Sequence, residues 1–168
     1  MPHPNLDAET EKRIRKEALL LMAVWANLRA GVNREALQEA IRRRDMTAAY
    51  EALGLSRIQD AFGDVKVAIR EAFERAAKKQ ADEIGLIWDP MSATVALAIT
   101  QQTDELIRQI TGSTQTAIEL AFKNAIETGR GTAEAADAVI AAIGLLPRQV
   151  AALDRYRAQL VEEARIKA

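Results

Sequence analysis

The sequence contains no cysteine and one histidine, His3, among its 168 residues. The lack of cysteine excludes thiol chemistry and thiolate metal sites, although it leaves the redox compartment open. His3 lies between two prolines near the amino terminus, where it is a poor general base and has no second histidine as a fellow ligand. Any catalytic or metal site would depend on carboxylates alone, so we predict no enzyme, no metal site and no cofactor.

Aromatic residues are also scarce at 4%, whereas apolar residues together reach 49%. The core must therefore be built from alanine, leucine, isoleucine and valine, a composition typical of closely packed helices. The longest apolar run, residues 18–26, is about half as long as a membrane-spanning helix. The amino terminus lacks a signal-peptide pattern. The sequence predicts a soluble protein, made in the cytoplasm, without a membrane span.

Neither sign of charge is in excess, because 23 lysines and arginines face 24 aspartates and glutamates. Dedicated nucleic-acid binders gain much of their affinity from an excess of cations over phosphate, so this balance argues against that class. Carboxylate pairs such as Glu162 with Glu163 lie beside basic residues, a pattern typical of a solvated helix face. Any function that depends on charge must therefore rest on a local group of charged residues.

Apolar residues recur at steps of three and four along the chain, which predicts helices from end to end and no strands. The first predicted helix covers residues 7–30 and ends at Gly31, with Trp25 on its apolar face as a core residue. Asn33 is the predicted cap of the second helix and Thr47 that of a short third helix, because a short side-chain oxygen can accept hydrogen bonds from first-turn amides.

A long fourth helix is predicted to begin with Ser56 as its cap, and Gly63 within it is a place for a bend. The segment at residues 84–90, IGLIWDP, breaks the helical period and is the best candidate for an internal boundary. We therefore predict an amino-terminal helical half, residues 1–86, and a carboxy-terminal helical half, residues 87–168, within one continuous helical assembly.

Turn residues divide the second half. TGST at residues 111–114 is predicted to interrupt one helix, and TGRGT at residues 128–132 to form a turn with Thr132 as the next cap. Gly144 is predicted to end the following helix and Pro147 to open the last one. The predicted fold is all-α, an extended multi-helix bundle of about seven to eight helices joined by short turns.

Two places carry the residue types that anchor protein interfaces. Trp88, in the aperiodic segment, either fills the space between the two halves or projects as an anchor. Tyr156, between Arg155 and Arg157, is either a helix-edge tyrosine with solvated arginines or part of a partner surface, and Arg148 lies in the first turn of the same helix. We predict no catalytic, cofactor-binding or metal residue. The predicted partner-binding residues are Trp88, Arg148, Arg155, Tyr156 and Arg157.

Three stretches resemble the phage head morphogenesis proteins, also called Mu F-like minor capsid or minor head proteins. ALQEAIRRRDMTAAYEALGL is similar to that family's helix, small acidic turn and short helix. ITQQTDELIRQITGSTQTAIELAFKNAIETGRG is similar to its pair of helices broken at a threonine-rich turn. IGLLPRQVAALDRYRAQL is similar to its Gly-Leu-x-Pro-Arg-Gln turn and the helix that follows it. The resemblance extends from Ala36 to Leu160.

The sequence departs from the family pattern in two ways. Leu146 stands where the family usually has serine or threonine before the proline, so the last helix lacks a side-chain cap worth about 1 kcal/mol. Family members usually continue into a carboxy-terminal region rich in arginine, Thr-Glu and histidine, whereas this sequence ends at Ala168. No activity of that region is carried over to this chain.

The resemblance implies a structural phage virion protein, a minor head protein present in several copies in the capsid interior or at the portal vertex. It implies a contribution to head assembly or DNA delivery (ejection). The implied partners are the portal protein and other capsid or ejection proteins, and nonspecific contact with packaged DNA is allowed. The alternative is a free-standing, self-associating helical adaptor or assembly factor of prophage origin. In that case the heptad-like faces at residues 14–28 and 58–76 would pair between chains.

Overall fold

The computed structural model describes residues 8–89 and 92–167 of the chain. Over these residues the protein is all-α, with eight α-helices, one 3-10 turn and no strand, so the predicted fold class is confirmed. The helices are α1 Ala8–Ala30, α2 Arg34–Arg43, α3 Met46–Leu53, α4 Ile58–Ala61, α5 Gly63–Glu83, α6 Ala93–Glu127, α7 Thr132–Ala141 and α8 Pro147–Lys167, with the 3-10 turn at Leu55–Arg57. Within the described ranges no helix is long and apolar enough to cross a membrane.

The chain packs into two compact units. Unit 1 contains the described residues up to Val24 together with Gln59–Gln109. Unit 2 contains Trp25–Ile58 and the described residues from Ile110 onward. The predicted division into halves, residues 1–86 and 87–168, was based on a break in the helical sequence pattern and not on packing. That division stays a prediction.

In unit 2, α2 packs against α3 and α7. The side of α2 that is buried carries Leu37, Ala40 and Ile41, at steps of three and four as expected for an amphipathic helix. The buried residues of α7 are small, among them Ala135 and Val139. Small side chains let helices approach closely, which explains how a core with few aromatic residues is filled.

Side-chain caps determine where α2 and α3 begin. Asn33 caps α2, as predicted, and accepts a hydrogen bond from the amide of Ala36 at 3.1 Å. The cap of α3 is Asp45, whose carboxylate accepts from the amide of Ala48 at 3.0 Å. The prediction that Thr47 caps α3 is wrong, because Thr47 lies inside the first turn and the aspartate before that turn reaches its free amide.

The predicted long fourth helix is divided into α4 and α5. Ser56 lies within the 3-10 turn, so the prediction that it caps one uninterrupted helix is wrong. The division falls where the bend was expected, with Phe62 between the two helices and Gly63 as the first residue of α5. Glycine is a weak helix former, which favours a break at this position. Phe62, the residue at the break, is fully buried.

Helix α6 runs through the TGST segment without interruption, so the predicted break at residues 111–114 is wrong. Thr111 and Thr114 are buried, and burial in a packed helix overrides the weak helix propensity of threonine and glycine. The hydroxyl of Thr116 donates to the carbonyl of Gly112 at 3.0 Å, a bond that threonine makes inside helices.

The predicted turn at residues 128–132 is confirmed between α6 and α7. Gly129 has a φ of 64°, in the left-handed region that favours glycine. The residue that caps α7 is Gly131, which contributes no side-chain hydrogen bond. The prediction that Thr132 is the cap is wrong, because Thr132 is already the first helical residue.

Candidate partner-binding surface

A tryptophan fixes the junction between α7 and α8. Trp25, predicted to be a core residue, is only 6% exposed. Its indole lies against Gly144, where an added Cβ atom would come within 2.7 Å of the indole Cγ. Gly144 also has a φ of 85°, so both space and backbone conformation require glycine. The Nε of Arg29 donates to the carbonyl of Ile143 at 3.2 Å, which attaches the end of α1 to the same junction.

Helix α8 begins at Pro147, as predicted, and its first turn is capped from inside the helix. The side chain of Gln149 accepts a hydrogen bond from the amide of Leu146 at 2.7 Å. This is one half of a capping box, in which the third helical residue reaches back to the cap position. Gln149 therefore satisfies an amide at this helix start, although Leu146 itself has no polar side chain.

One turn further along α8, a group of four polar residues ties this helix to α6 and to the α6–α7 turn. We call Asn124, Arg130, Asp154 and Arg157 the Asp154 cluster. The carboxylate of Asp154 accepts from Asn124 at 2.6 Å and from Arg130 at 3.2 Å, and Nη1 of Arg157 lies 3.7 Å away. The side chains of Arg130 and Asp154 are only 13% and 18% exposed. Such shielded pairs attract more strongly than exposed ones.

A groove of about 720 Å³, here called the α8 groove, lies beside the Asp154 cluster. Its lining includes the apolar side chains of Ala151, Ala158 and Val161, and the guanidinium of Arg155. Nε of Arg155 lies 3.4 Å from the carbonyl of Ala151, and among the described residues Arg155 forms no ion pair. Glu134 and the charged members of the Asp154 cluster also line the groove, so it combines apolar surface with charges of both signs.

Another face of α8 exposes large apolar side chains. Leu153, Tyr156 and Leu160, here called the α8 stripe, are 40%, 58% and 45% exposed. Their spacing of three and four residues places them together along one side of the helix. A contiguous exposed apolar patch of this kind is typical of a contact site.

The four predicted partner-binding residues of α8 do not share one face of that helix. Arg148, Arg155 and Tyr156 are exposed, whereas Arg157 is half-buried beside Asp154. Arg155 and Arg157 line the α8 groove, and Tyr156 belongs to the α8 stripe. Trp88 lies in unit 1, whereas the other four lie in unit 2. Their role in partner binding stays a prediction.

The segment that follows α5 exposes large apolar side chains in a row. We call residues 84–88 the apolar loop. Ile84, Leu86 and Ile87 are 65%, 61% and 96% exposed, and Trp88 is half-buried. The predicted break in the helical pattern is confirmed for the described part of this segment. In the sequence, the only sign of this loop was the loss of helical periodicity. That loss did not indicate which side chains would be exposed.

One titratable side chain in unit 2 has a perturbed protonation equilibrium. Tyr50 on α3 donates a hydrogen bond to the carboxylate of Glu119 on α6. Partial burial, together with the hydrogen bond to Glu119 and its negative charge, raises the pKa of Tyr50 well above its ordinary value of 10.0. The phenol is therefore held in its neutral form, as a hydrogen-bond donor that links α3 to α6.

Two ion pairs lie in a depression of unit 1. This depression, of about 850 Å³, is lined by residues of α4, α5 and α6. Lys66 pairs there with Asp104, and Arg108 with Glu105. In the described ranges no three histidines or carboxylates are arranged to hold a metal ion, and His3 lies outside those ranges. The α8 groove and the α8 stripe, which expose apolar and charged side chains, are the candidate functional surfaces.

Comparison with known proteins gave no matching family model, no matching curated protein and no matching solved structure. The fold class is all-α, and the structure identifies three exposed features: the α8 groove, the α8 stripe and the apolar loop. What the chain does is therefore inferred from its sequence resemblance and from these surfaces.

Proposed function

We propose that the protein is a structural minor head protein of a phage virion that binds the portal protein through α8 and contributes to head assembly or DNA delivery. Its place is the capsid interior or the portal vertex, in several copies, with other capsid or ejection proteins as further partners. The sequence resemblance over residues 36–160 supports the family, and the exposed surfaces of α8 support a role in protein contact.

The observation that carries this proposal is an anchored helix with an exposed face. Trp25 packs on Gly144 at the junction before α8, Gln149 caps its first turn, and Asp154 is bonded to Asn124 one turn later. A helix already held in place loses little conformational entropy when its other face binds, so more of the contact energy appears as affinity.

The residue types on that exposed face suit a protein interface. Tyr156 has an apolar ring and a hydroxyl that can each make contacts, and tyrosine and arginine are enriched among the residues that dominate binding energy. We assign the α8 stripe to the portal contact, with Arg148 and Arg155 supplying the positive charge that speeds encounter with an anionic partner. Trp88 serves as a second, separate contact.

The test is the affinity for the portal protein of the phage or prophage that carries this gene. We expect Tyr156→Ala to weaken binding by at least about tenfold, because a central aromatic anchor is removed. The matched control is Ile166→Ala on the same helix, where the side chain is 76% exposed and lies outside the stripe. Unchanged affinity in Tyr156→Ala, and in a chain with both Arg155→Ala and Arg157→Ala, would eliminate α8 as the portal contact.

A second candidate function is the self-associating adaptor or assembly factor. It is favoured by apolar residues on α1 and α5 that are exposed in the described chain: Ile14, Leu19, Met22 and Val67 are 49%, 64%, 64% and 57% exposed. If these faces pair between copies, Leu19→Asp should abolish self-association. In that case the wild-type chain should not bind the portal protein at all. A wild-type chain that binds the portal excludes this candidate as the main function.

A further inference from the structure

Helix α5 ends in a Schellman-type turn, and the apolar loop continues from that turn. Gly85 has a φ of 71°, and the amide of Leu86 donates to the carbonyl of Ala81 at 2.9 Å, which is the bond that closes such a turn. In the described ranges the amides of Ile87 and Trp88 donate to no backbone carbonyl. The bond between Leu86 and Ile87 is therefore the first peptide bond after the hydrogen-bonded end of α5.

The side chains on both sides of this bond are accessible. Leu86 and Ile87 are 61% and 96% exposed, and the connection from α5 to α6, residues 84–92, is the longest between the described helices. The backbone is irregular from residue 86 to residue 89. Because endopeptidases bind their substrates as extended strands, a segment that already lies outside a helix can enter the cleft with little unfolding.

We propose that the apolar loop is a cleavage site for an endopeptidase that recognises an aliphatic side chain, and that the Leu86–Ile87 bond is hydrolysed. Water adds its hydroxyl group to the carbonyl carbon of Leu86, the C–N bond breaks, and the nitrogen of Ile87 leaves as an amine with the remaining proton. Burial of the exposed isoleucine side chain in an apolar pocket of the enzyme is favourable, which gives the enzyme a reason to bind at this bond.

Exposed apolar side chains also occur within helices, where cleavage is harder. Leu19 and Met22 on α1 are both 64% exposed, and Tyr156 on α8 is 58% exposed. The peptide bonds beside them can enter an enzyme cleft only after the helix opens locally, and that opening costs free energy. The apolar loop is distinguished from these positions by its irregular backbone, not by exposure alone.

Each compact unit contains segments from both sides of this bond. In unit 2, α2 from the first fragment packs against α7 from the second fragment, and Trp25 lies against Gly144. In unit 1, Lys66 on α5 pairs with Asp104 on α6. Hydrolysis removes one covalent connection and leaves these contacts in place, so the two fragments should stay together as one complex.

The experiment is limited proteolysis of the full chain by thermolysin, which cuts on the amino side of aliphatic residues, followed by intact-mass spectrometry at successive times. Within the described ranges the Leu86–Ile87 bond should be cut first, at least about tenfold faster than any bond inside α1 or α8. Ile87→Asp should slow this cut by at least about tenfold, because a charged side chain is costly to bury in an apolar pocket. The matched control is Leu97→Asp, at a 58% exposed site on α6, which should be cut as fast as the wild type.

Size-exclusion chromatography of the cut chain tests whether the fragments stay together. They should co-elute in native buffer and separate in urea. Because the folded state of the cut chain is an association of two fragments, its urea midpoint should rise with protein concentration. Far-ultraviolet circular dichroism of Ile87→Asp and Leu97→Asp confirms that both variants retain their helices.

Three outcomes would overturn the proposal. A first cut inside α1 or α8 would show that the loop is not the preferred site. Equal cleavage rates for the wild type and Ile87→Asp would show that the isoleucine is not recognised. Fragments that separate in native buffer would contradict the packing of each unit across the cut. The portal protein is absent from these measurements, so their results are independent of the proposed function.

Discussion

Gly144 is the residue at which the structure leaves the least room for a side chain. An alanine there would adopt a φ of 85°, which costs about 1 kcal/mol, and its Cβ would meet a buried indole ring at 2.7 Å. The contacting atoms belong to the rigid ring of Trp25, which cannot move aside as the end of a flexible side chain can. Gly144 therefore has a structural role at the start of α8.

We predict that Gly144→Ala lowers the free energy of unfolding by about 2–4 kcal/mol, the sum of the backbone and overpacking costs. The measurement is urea denaturation followed by circular dichroism. The control is Gly112→Ala inside α6, where an added Cβ meets nothing within 4 Å. That change should stabilise the helix by about 0.5–1 kcal/mol. Equal stability of the two variants would contradict the packing of Trp25 on Gly144.

Tyr50 makes unfolding sensitive to alkaline pH. Its pKa is raised in the folded protein by burial and by Glu119, so its contribution to stability is complete below its ordinary value of 10.0. That contribution is lost as the pH rises through the folded pKa, because the unfolded chain releases the proton first.

We therefore predict that the wild type loses stability between about pH 10 and 12 more steeply than Tyr50→Phe, which has no phenolic proton. The urea midpoints of both chains are measured at the same pH values. The difference between the two curves isolates the effect of Tyr50, because the lysines titrate in both chains. A further variant, Glu119→Gln, should make this loss smaller, because without the carboxylate the folded pKa of Tyr50 lies closer to its ordinary value. Parallel curves for the wild type and Tyr50→Phe would show that folding does not raise the pKa of Tyr50.

Local residues of the junction could be predicted from the sequence, but their distant partners could not. Asn33 and Pro147 act on neighbouring backbone, so their chemistry alone indicates a helix start. Gly144 was predicted to end α7, which ends earlier, at Ala141. Trp25 could be assigned to the core from periodicity, but nothing in the sequence indicated that Gly144 would lie against it. That contact joins residues more than a hundred positions apart and depends on the fold.

At the scale of helices, α8 depends on the Asp154 cluster for its position against α6 and the α6–α7 turn. Arg130 is 13% exposed and bonds to Asp154. Removing the carboxylate would leave a shielded guanidinium without its partner, which costs more than the loss of an exposed ion pair. The cluster therefore stabilises the helix that presents the α8 stripe.

We predict that Asp154→Asn lowers the free energy of unfolding by about 2–3 kcal/mol, since the charge that faces Arg130 is lost in a shielded place. The matched control is Asp137→Asn, which breaks the ion pair with Arg34. Both side chains of that pair are more than half exposed, so its loss should cost less than about 1 kcal/mol. Similar costs for the two variants in urea denaturation would mean that the Asp154 cluster does not hold α8.

Some helix boundaries could not be predicted from the sequence, because packing against other helices overrides local propensity. The TGST segment carries weak helix formers, which favour a break, yet Thr114 is buried within the continuous α6. Tertiary packing provides more free energy than the propensity of a few residues costs. In contrast, the break after α5 could be predicted, because the run from Ile84 lacks helical periodicity altogether.

At the scale of the whole molecule, the fold class follows from composition and period. Apolar steps of three and four along the chain admit only helices, and scarce aromatics require close packing of small residues. The two compact units could not be predicted from sequence, because each is assembled from segments that are distant along the chain. The candidate surfaces were only partly predictable: Tyr156 and Arg155 stood out by residue type, but the groove beside Val161 did not.

Portal binding is the role that we propose for the whole molecule. The most direct measurement is size-exclusion chromatography with light scattering on the purified chain mixed with the portal protein of the same phage or prophage. We expect co-elution at a defined stoichiometry, lost in Tyr156→Ala and kept in Ile166→Ala. A chain that elutes apart from the portal at every ratio would contradict the claim, and self-association in that same experiment would favour the adaptor.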